Sequence, residues 1–111
     1  MHELGIARNI VAIVCERAGA TPVKRVTLEI GAHAGVVADA IAFCFPVAAE
    51  GTACAGARLE IREIAGRARC RRCAAEFVQP RLGAPCACGS RETDRTAGGE
   101  LNVKEMELET V

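Results

Sequence analysis

Four cysteines in two close pairs are the residues of this chain best equipped for chemistry. Cys70-Arg71-Arg72-Cys73 is answered, after twelve residues, by Cys86-Ala87-Cys88-Gly89. Thiolates are soft anionic donors, and two facing pairs would offer four sulfurs to a tetrahedral d¹⁰ ion such as Zn(II). A redox dithiol set and unligated thiols are the competing readings of the same spacing. The surroundings favour zinc. Between Gly66 and Gly99 the only large apolar side chains are Phe77, Val78 and Leu82. That is too little for a core, so a bound metal would have to supply folding free energy. The second pair is Cys-x-Cys, and residues two apart on an extended strand point to opposite faces. Cys86 and Cys88 are therefore expected in a turn, which Pro85 and Gly89 favour.

A second donor set opens the chain. His2 follows Met1 directly, so its imidazole lies within chelating reach of the α-amine and the intervening backbone nitrogens. Planar nitrogen sets of this kind suit Ni(II) or Cu(II) better than zinc. The carboxylate of Glu3 could add an oxygen or orient the imidazole. The plain alternative is an exposed terminal histidine. His33, in a loop bracketed by Gly31 and Gly35, is either a further nickel ligand or simply exposed. Cys15 and Cys44 fall in apolar helical patterns and read as small core side chains. Cys54, near Gly51 and Gly56, reads as an exposed incidental thiol, with an oxidation-sensitive role or substitute zinc ligation as alternatives. No nucleophile–base pair is evident, and two histidines make an enzymatic site hard to build.

These residues need elements to hold them. From Glu3 to Ala18, Leu4, Ala7, Val11, Val14 and Ala18 form one helical stripe, and Ile6, Ile10 and Ile13 a second beside it. Gly19 and Pro22 end that helix. Residues 24–30 alternate as a half-buried strand, with Val26, Leu28 and Ile30 on one face. A second helix is expected from Val37 or Ala38 to Glu50, with Ile41, Phe45 and Ala48 inward, both Phe43 and Phe45 packing, and Pro46 kinking it or restarting a turn. Residues 58–64 and 101–108 each begin as alternating strands and then slip by one residue, which suggests β-bulges and that the two strands are neighbours. Glu105, Glu107 and Glu109 would form the solvent face of the last strand. The fold class expected is α+β, two helices on a small three-stranded sheet. A small zinc-ribbon-like insert separates the last two strands. Residues 1–65 and 99–111 would form one domain and 66–98 the zinc-binding domain.

Fourteen basic residues balance fourteen acidic ones across 111 residues, so whole-chain charge argues for neither nucleic acid nor membrane. The balance is uneven. Residues 66–99 carry seven arginines (67, 69, 71, 72, 81, 91 and 95) against Glu76, Glu92 and Asp94. The excess of four positive charges could offset a doubly negative zinc–tetrathiolate cluster or form a docking surface for an acidic partner. No basic segment followed by an apolar run opens the chain, and an odd count of seven cysteines argues against a disulfide framework. The expectation is a cytoplasmic protein.

Taken together, Met1-His2-Glu3-Leu4 opening a helix, the Gly-x-x-x-Gly-Val stretch at Gly31–Val36 and the two-pair insert before a final strand resemble the hydrogenase maturation factor HypA/HybF family. Phe43–Phe45 and Leu59-Glu60-Ile61 are further matching points, and the resemblance covers essentially the whole chain. It implies a nickel metallochaperone that binds Ni(II) through Met1, His2 and Glu3 and holds structural Zn(II) on Cys70, Cys73, Cys86 and Cys88. It also implies work with a HypB-type GTPase and delivery to a hydrogenase large-subunit precursor, not enzymatic activity. The second pair here is one residue tighter than the family's Cys-Pro-x-Cys-Gly. Neither nucleic acid nor membrane is an expected partner, and the protein would be a monomer or homodimer. The alternative is a zinc-ribbon adaptor that binds nucleic acid or protein without metal delivery.

Overall fold

The computed structural model describes residues 2–110. Its elements run α1 (Glu3–Ala18), β1 (Val23–Gly31), α2 (Ala38–Ala49), β2 (Arg58–Ile64), β3 (Arg67–Cys70), β4 (Glu76–Val78), β5 (Thr93–Ala97) and β6 (Leu101–Leu108). Two three-stranded sheets result, one in the order β2-β1-β6 and the other β4-β3-β5. The α+β class is as expected, with the cysteine-bearing segment between the last two strands of the first sheet. Within that segment, three short strands were not anticipated.

The chain separates into two compact units. The first comprises residues up to Glu29, Val36–Arg62 and those from Asn102; the second comprises Ile30–Gly35 and Glu63–Leu101. The first is held by apolar burial. Ile6, Ala7, Ile10, Val11, Val14 and Ala18 of α1 are buried, as are Ile41, Phe45 and Ala49 of α2 and Val23, Val26 and Leu28 of β1. Removing these surfaces from water is the main favourable term, about 25 cal/mol per Å² of apolar area.

Several expectations are corrected here. Strands β2 and β6 are not neighbours, because β1 lies between them. The reason lies in burial. Thr27 is buried along with its apolar neighbours, as suits a middle strand flanked on both edges, whereas β2 and β6 keep charged, half-exposed surfaces proper to edges. Arg25 of β1 accordingly reaches Glu60 on one side at 3.2 Å and Glu107 on the other at 3.5 Å. Phe43 does not pack; it is 81% exposed, and Ile13 of α1 also faces outward. Helix α2 is apolar almost all round, so composition could not choose its face. The i, i+4, i+8 row of Ile41, Phe45 and Ala49 did, and at 100° per residue Phe43 falls opposite that row. Pro46 lies inside α2, which ends at Ala49.

Candidate metal centres

The cysteine site is built by two tight turns. Strand β3 carries Ala68 and Cys70 on its buried face and Arg67 and Arg69 on the other. It pairs antiparallel with β4 (Ala68 opposite Phe77) and with β5 (Cys70 opposite Thr93). Just beyond Cys70 the chain reverses. The Ala74 amide donates to the Cys70 carbonyl at 2.9 Å, the Cys70 amide donates to the Ala75 carbonyl at 2.9 Å, and Ala74 takes a left-handed φ of 63°. That conformation suits glycine better than alanine and costs about 1 kcal/mol. In return the Cys73 amide points at Cys70 Sγ, 3.5 Å away.

The second pair sits in the expected turn. The Cys86 amide donates to the Ser90 carbonyl at 2.9 Å and the Gly89 amide to the Cys86 carbonyl at 2.8 Å, with Gly89 at φ 90°. This folds the Cys-x-Cys spacing so that both sulfurs face one point. Cys70 and Cys88 Sγ lie 3.7 Å apart, Cys73 and Cys86 Sγ 3.5 Å apart, and all four within 4.8 Å of one another. Tetrahedral zinc with Zn–S of about 2.3 Å requires S···S separations of about 3.8 Å. The donor set fits that ion. Cys70 and Cys86 are buried while Cys73 and Cys88 are exposed. The Cys70 thiol is lowered to about 6, chiefly because the Cys73 amide donates to its sulfur, against the opposing effect of burial. A thiolate is thus ready for a metal near neutrality.

Sequence reasoning missed the polar scaffold around these turns. Gln79 is almost wholly buried; its side-chain amide donates to the Ala84 carbonyl at 3.0 Å and to Thr93 Oγ1 at 3.3 Å, and its backbone amide donates to the Gly66 carbonyl at 2.8 Å. It ties the loop before Cys86 to β5. Ser90 is buried too, and its hydroxyl accepts the Glu92 amide at 3.1 Å. Nothing in a lone Gln-Pro pair marks such a role; Ser90 was signalled only by following Cys88-Gly89. With Ile30, Ala68 and Ala84 as its other buried side chains and Val78 and Leu82 exposed, this unit has little apolar core.

The arginine excess is partly internal. Arg71 donates to Asp94 Oδ1 from Nη2 at 2.6 Å and from Nε at 3.0 Å, holding that carboxyl below its usual range. Arg69 stands opposite both Glu76 and Asp94 in register. Charge alternates along that one row, while Arg67 stands opposite Val78 and Ala97.

Of the amino-terminal set, Met1 lies outside the described residues. His2 is exposed at the N-cap of α1 in extended conformation, its carbonyl accepting the Ile6 amide at 3.2 Å and its imidazole making no cap hydrogen bond. Glu3 begins the helix. A shallow groove beside them is lined by His2, Gly5, Ile6, Arg8 and Asn9.

His33 corrects the expectation of an exposed ring. Both its ring nitrogens are buried without a hydrogen-bond partner, and the ring lies over Gly66, where an added Cβ would stand 2.3 Å from Cε1. The absence of a side chain at Gly66 opens the slot that the ring fills. Shut from solvent, it offers no approach to an exchangeable ion. Cys54 is likewise fully buried, not exposed. It lies 3.7 Å from Cys15 by sulfur and stands apart from the four-sulfur cluster.

Comparison with known proteins agrees with this layout. The family model described as "Hydrogenase/urease nickel incorporation, metallochaperone, hypA" matches residues 1–108. The hydrogenase maturation factor HypA of Rippkaea orientalis is 51% identical over 113 residues, spanning 100% of this chain and 98% of the relative. That of a Nostoc species is 50% identical over 111 residues, with the same coverage. A solution structure of the Ni metallochaperone HypA from Helicobacter pylori superposes with a TM-score of 0.68 at 23% identity, covering 97% of each chain. A likeness that distant speaks for the fold. The full-length relatives and the family match speak for more: the chain belongs to the HypA family of nickel-incorporation metallochaperones, which serve hydrogenase maturation.

Proposed function

We propose that this protein binds Ni(II) through the main-chain nitrogens and imidazole of Met1-His2-Glu3 and delivers it to a hydrogenase large-subunit precursor. A HypB-type GTPase is the proposed working partner. The observation that carries the reading is the exposed, uncommitted imidazole of His2 at the helix start, in a chain of a nickel-incorporation family. Delivery requires a site that holds the ion yet lets incoming ligands displace donors one at a time, and an exposed terminus permits that. Protons compete for imidazole and amine, so nickel should be held less firmly as pH falls.

Zn(II) on Cys70, Cys73, Cys86 and Cys88 is the structural counterpart: as a closed-shell ion it cross-links the two turns and does no redox chemistry. Residues 1–65 and 99–111 then act as the nickel-carrying domain and 66–98 as the zinc-binding domain. The protein acts as a carrier, not an enzyme, in the cytoplasm, whose reducing conditions suit cysteines held without structural disulfides. Among the described residues no helix is long and apolar enough to cross a membrane. Arg71 is paired with Asp94 and Arg69 stands opposite two acidic residues, which draws on the arginine excess, so nucleic acid is not part of the proposal.

The test is a calorimetric and spectroscopic Ni(II) titration of zinc-loaded protein, in three forms: native terminus, His2→Ala, and a version extended by a few residues before Met1. One Ni(II) bound by the native form alone is the expected result. Equal binding by all three would move the site elsewhere, and binding by none would return the zinc-ribbon adaptor to first place.

A further inference from the structure

Outside both metal centres, one pair of nucleophilic side chains meets. Cys15 sits in the last turn of α1 and Cys54 in the connection from α2 to β2, 39 residues apart in sequence, yet their sulfurs are 3.7 Å apart. Cys54 is held in place by a dense set of short bonds. Its amide donates to Thr52 Oγ1 at 3.0 Å, and the Thr52 hydroxyl donates in turn to the Ala49 carbonyl at 2.7 Å. The Ala57 amide donates to the Cys54 carbonyl at 2.9 Å, and the Val23 amide to the Ala53 carbonyl at 2.8 Å. The connection is thus anchored to α2 and to the start of β1, with Cys54 presented to the helix.

We propose that Cys15 and Cys54 form a peroxide-oxidisable dithiol that closes to an intramolecular disulfide, separate from the zinc cysteines and from the nickel terminus. The two sulfurs differ in access. Cys54 is fully buried, and burial together with the neighbouring Cys15 holds its thiol up at about 11. It stays protonated and shielded. Cys15 is only partly buried, so it is the one a small hydroperoxide reaches.

The chemistry balances in two steps. The Cys15 thiolate attacks one oxygen of hydrogen peroxide; the S–O bond forms, the O–O bond breaks, and hydroxide leaves. The hydroxide takes the Cys54 thiol proton, giving one water, and the Cys54 thiolate attacks the sulfur of the Cys15 sulfenic acid; the S–S bond forms, the S–O bond breaks, and the hydroxide that leaves takes up the proton first lost from Cys15 as the second water. Two thiols and one peroxide give one disulfide and two waters. The sulfurs must close from 3.7 Å to about 2.05 Å. The bond would fasten the end of α1 to the α2–β2 connection. Cys70, Cys73, Cys86 and Cys88, when holding zinc, have their thiolates occupied.

The experiment uses the reduced, zinc-loaded full chain and one equivalent of hydrogen peroxide, followed by alkylation and peptide mapping by tandem mass spectrometry without reductant. The expected products are a Cys15–Cys54 linked peptide, zinc fully retained, and a melting temperature raised by at least about 5 °C that dithiothreitol reverses. In Cys54→Ala the sulfenic acid should persist on Cys15 and be trapped by dimedone; in Cys15→Ser, Cys54 should stay unmodified. Absence of the linked peptide in the wild-type chain overturns the proposal, whether the variants fold or not. So does zinc release ahead of any Cys15 oxidation, which would make the zinc thiolates the reactive set.

Discussion

Gly31 and Gly35 belong to one short sequence stretch, yet the structure gives them different reasons to be glycine, and the two reasons have different magnitudes. A Cβ on Gly31 would lie 2.1 Å from the Gly98 carbonyl oxygen, 2.2 Å from its carbon and 2.7 Å from Glu100 Oε1. A carbon–oxygen contact needs about 3.3 Å, so the segments must part by roughly 1 Å. They are joined there by the Gly31 amide to the Glu100 carbonyl and the His33 amide to the Gly98 carbonyl, each at 2.7 Å. Losing both bonds costs about 2 kcal/mol, and the overpacking itself about 1–3 kcal/mol. Gly31→Ala should therefore destabilise by about 3–5 kcal/mol, lowering the melting temperature by roughly 10–20 °C. At Gly35 a Cβ would meet nothing within 4 Å, and only the φ of 79° opposes it. Gly35→Ala should cost about 1 kcal/mol. Urea unfolding followed by circular dichroism, with free zinc fixed so that metal linkage is equal, compares the two. Equal losses, or a Gly31→Ala loss below about 1 kcal/mol, would refute the close approach of Gly98 as the reason for this glycine.

Four further outcomes are expected. Ala74→Gly should stabilise the zinc-loaded protein by about 0.5–1 kcal/mol in the same urea assay, because it relieves a left-handed alanine. In metal-free protein, thiolate absorbance should show one cysteine ionising near pH 6, a step that Cys70→Ser removes. Because the folded value lies below the ordinary thiol range, this group's contribution to stability is complete above about pH 9, and is lost as pH falls through about 6. Zinc removal by a chelator should lower amide-exchange protection in β3–β5 while α1 and α2 keep theirs, since their core is apolar and independent of the thiols. Glu3→Gln should weaken Ni(II) binding by a factor of roughly 2–5 in competition titration, as a carboxylate in the first turn offsets the positive helix end beside the bound cation.

What the sequence made legible follows the kind of force involved. The α1 stripe of Ala7, Val11, Val14 and Ala18 and the β1 row of Val26, Leu28 and Ile30 were readable because burial repeats with the element's own period. The convergence of four sulfurs was readable because knuckle spacing is local. Strand order was not. Nothing in the slips of residues 58–64 and 101–108 says that β1 lies between them; that is fixed by which strand edges pair, a property of the assembled sheet. His33 and Cys54 were misplaced for a related reason. Each was read from its flanking glycines as loop, hence exposed, while Gly66, distant in sequence, clears the slot for His33, and α1 covers Cys54.

The two donor sets also differ in a way that bears on their duties. The four thiols are set by backbone: turns at Cys70–Ala75 and Cys86–Ser90 are each closed by two hydrogen bonds. Donors set in this way favour a resident metal, because an ion that cross-links both turns leaves only when they open. His2 is held differently. Among the described residues its carbonyl is engaged by the Ile6 amide, and its imidazole makes no cap hydrogen bond. A cation gathered there must order the imidazole and also sit beside the positive end of the α1 macrodipole, which opposes it by about 0.3–1 kcal/mol. Both effects lower affinity at the terminus relative to a closed tetrathiolate. For a resident ion that would be a defect. For the cargo proposed above, weaker and stepwise ligation is what would permit transfer.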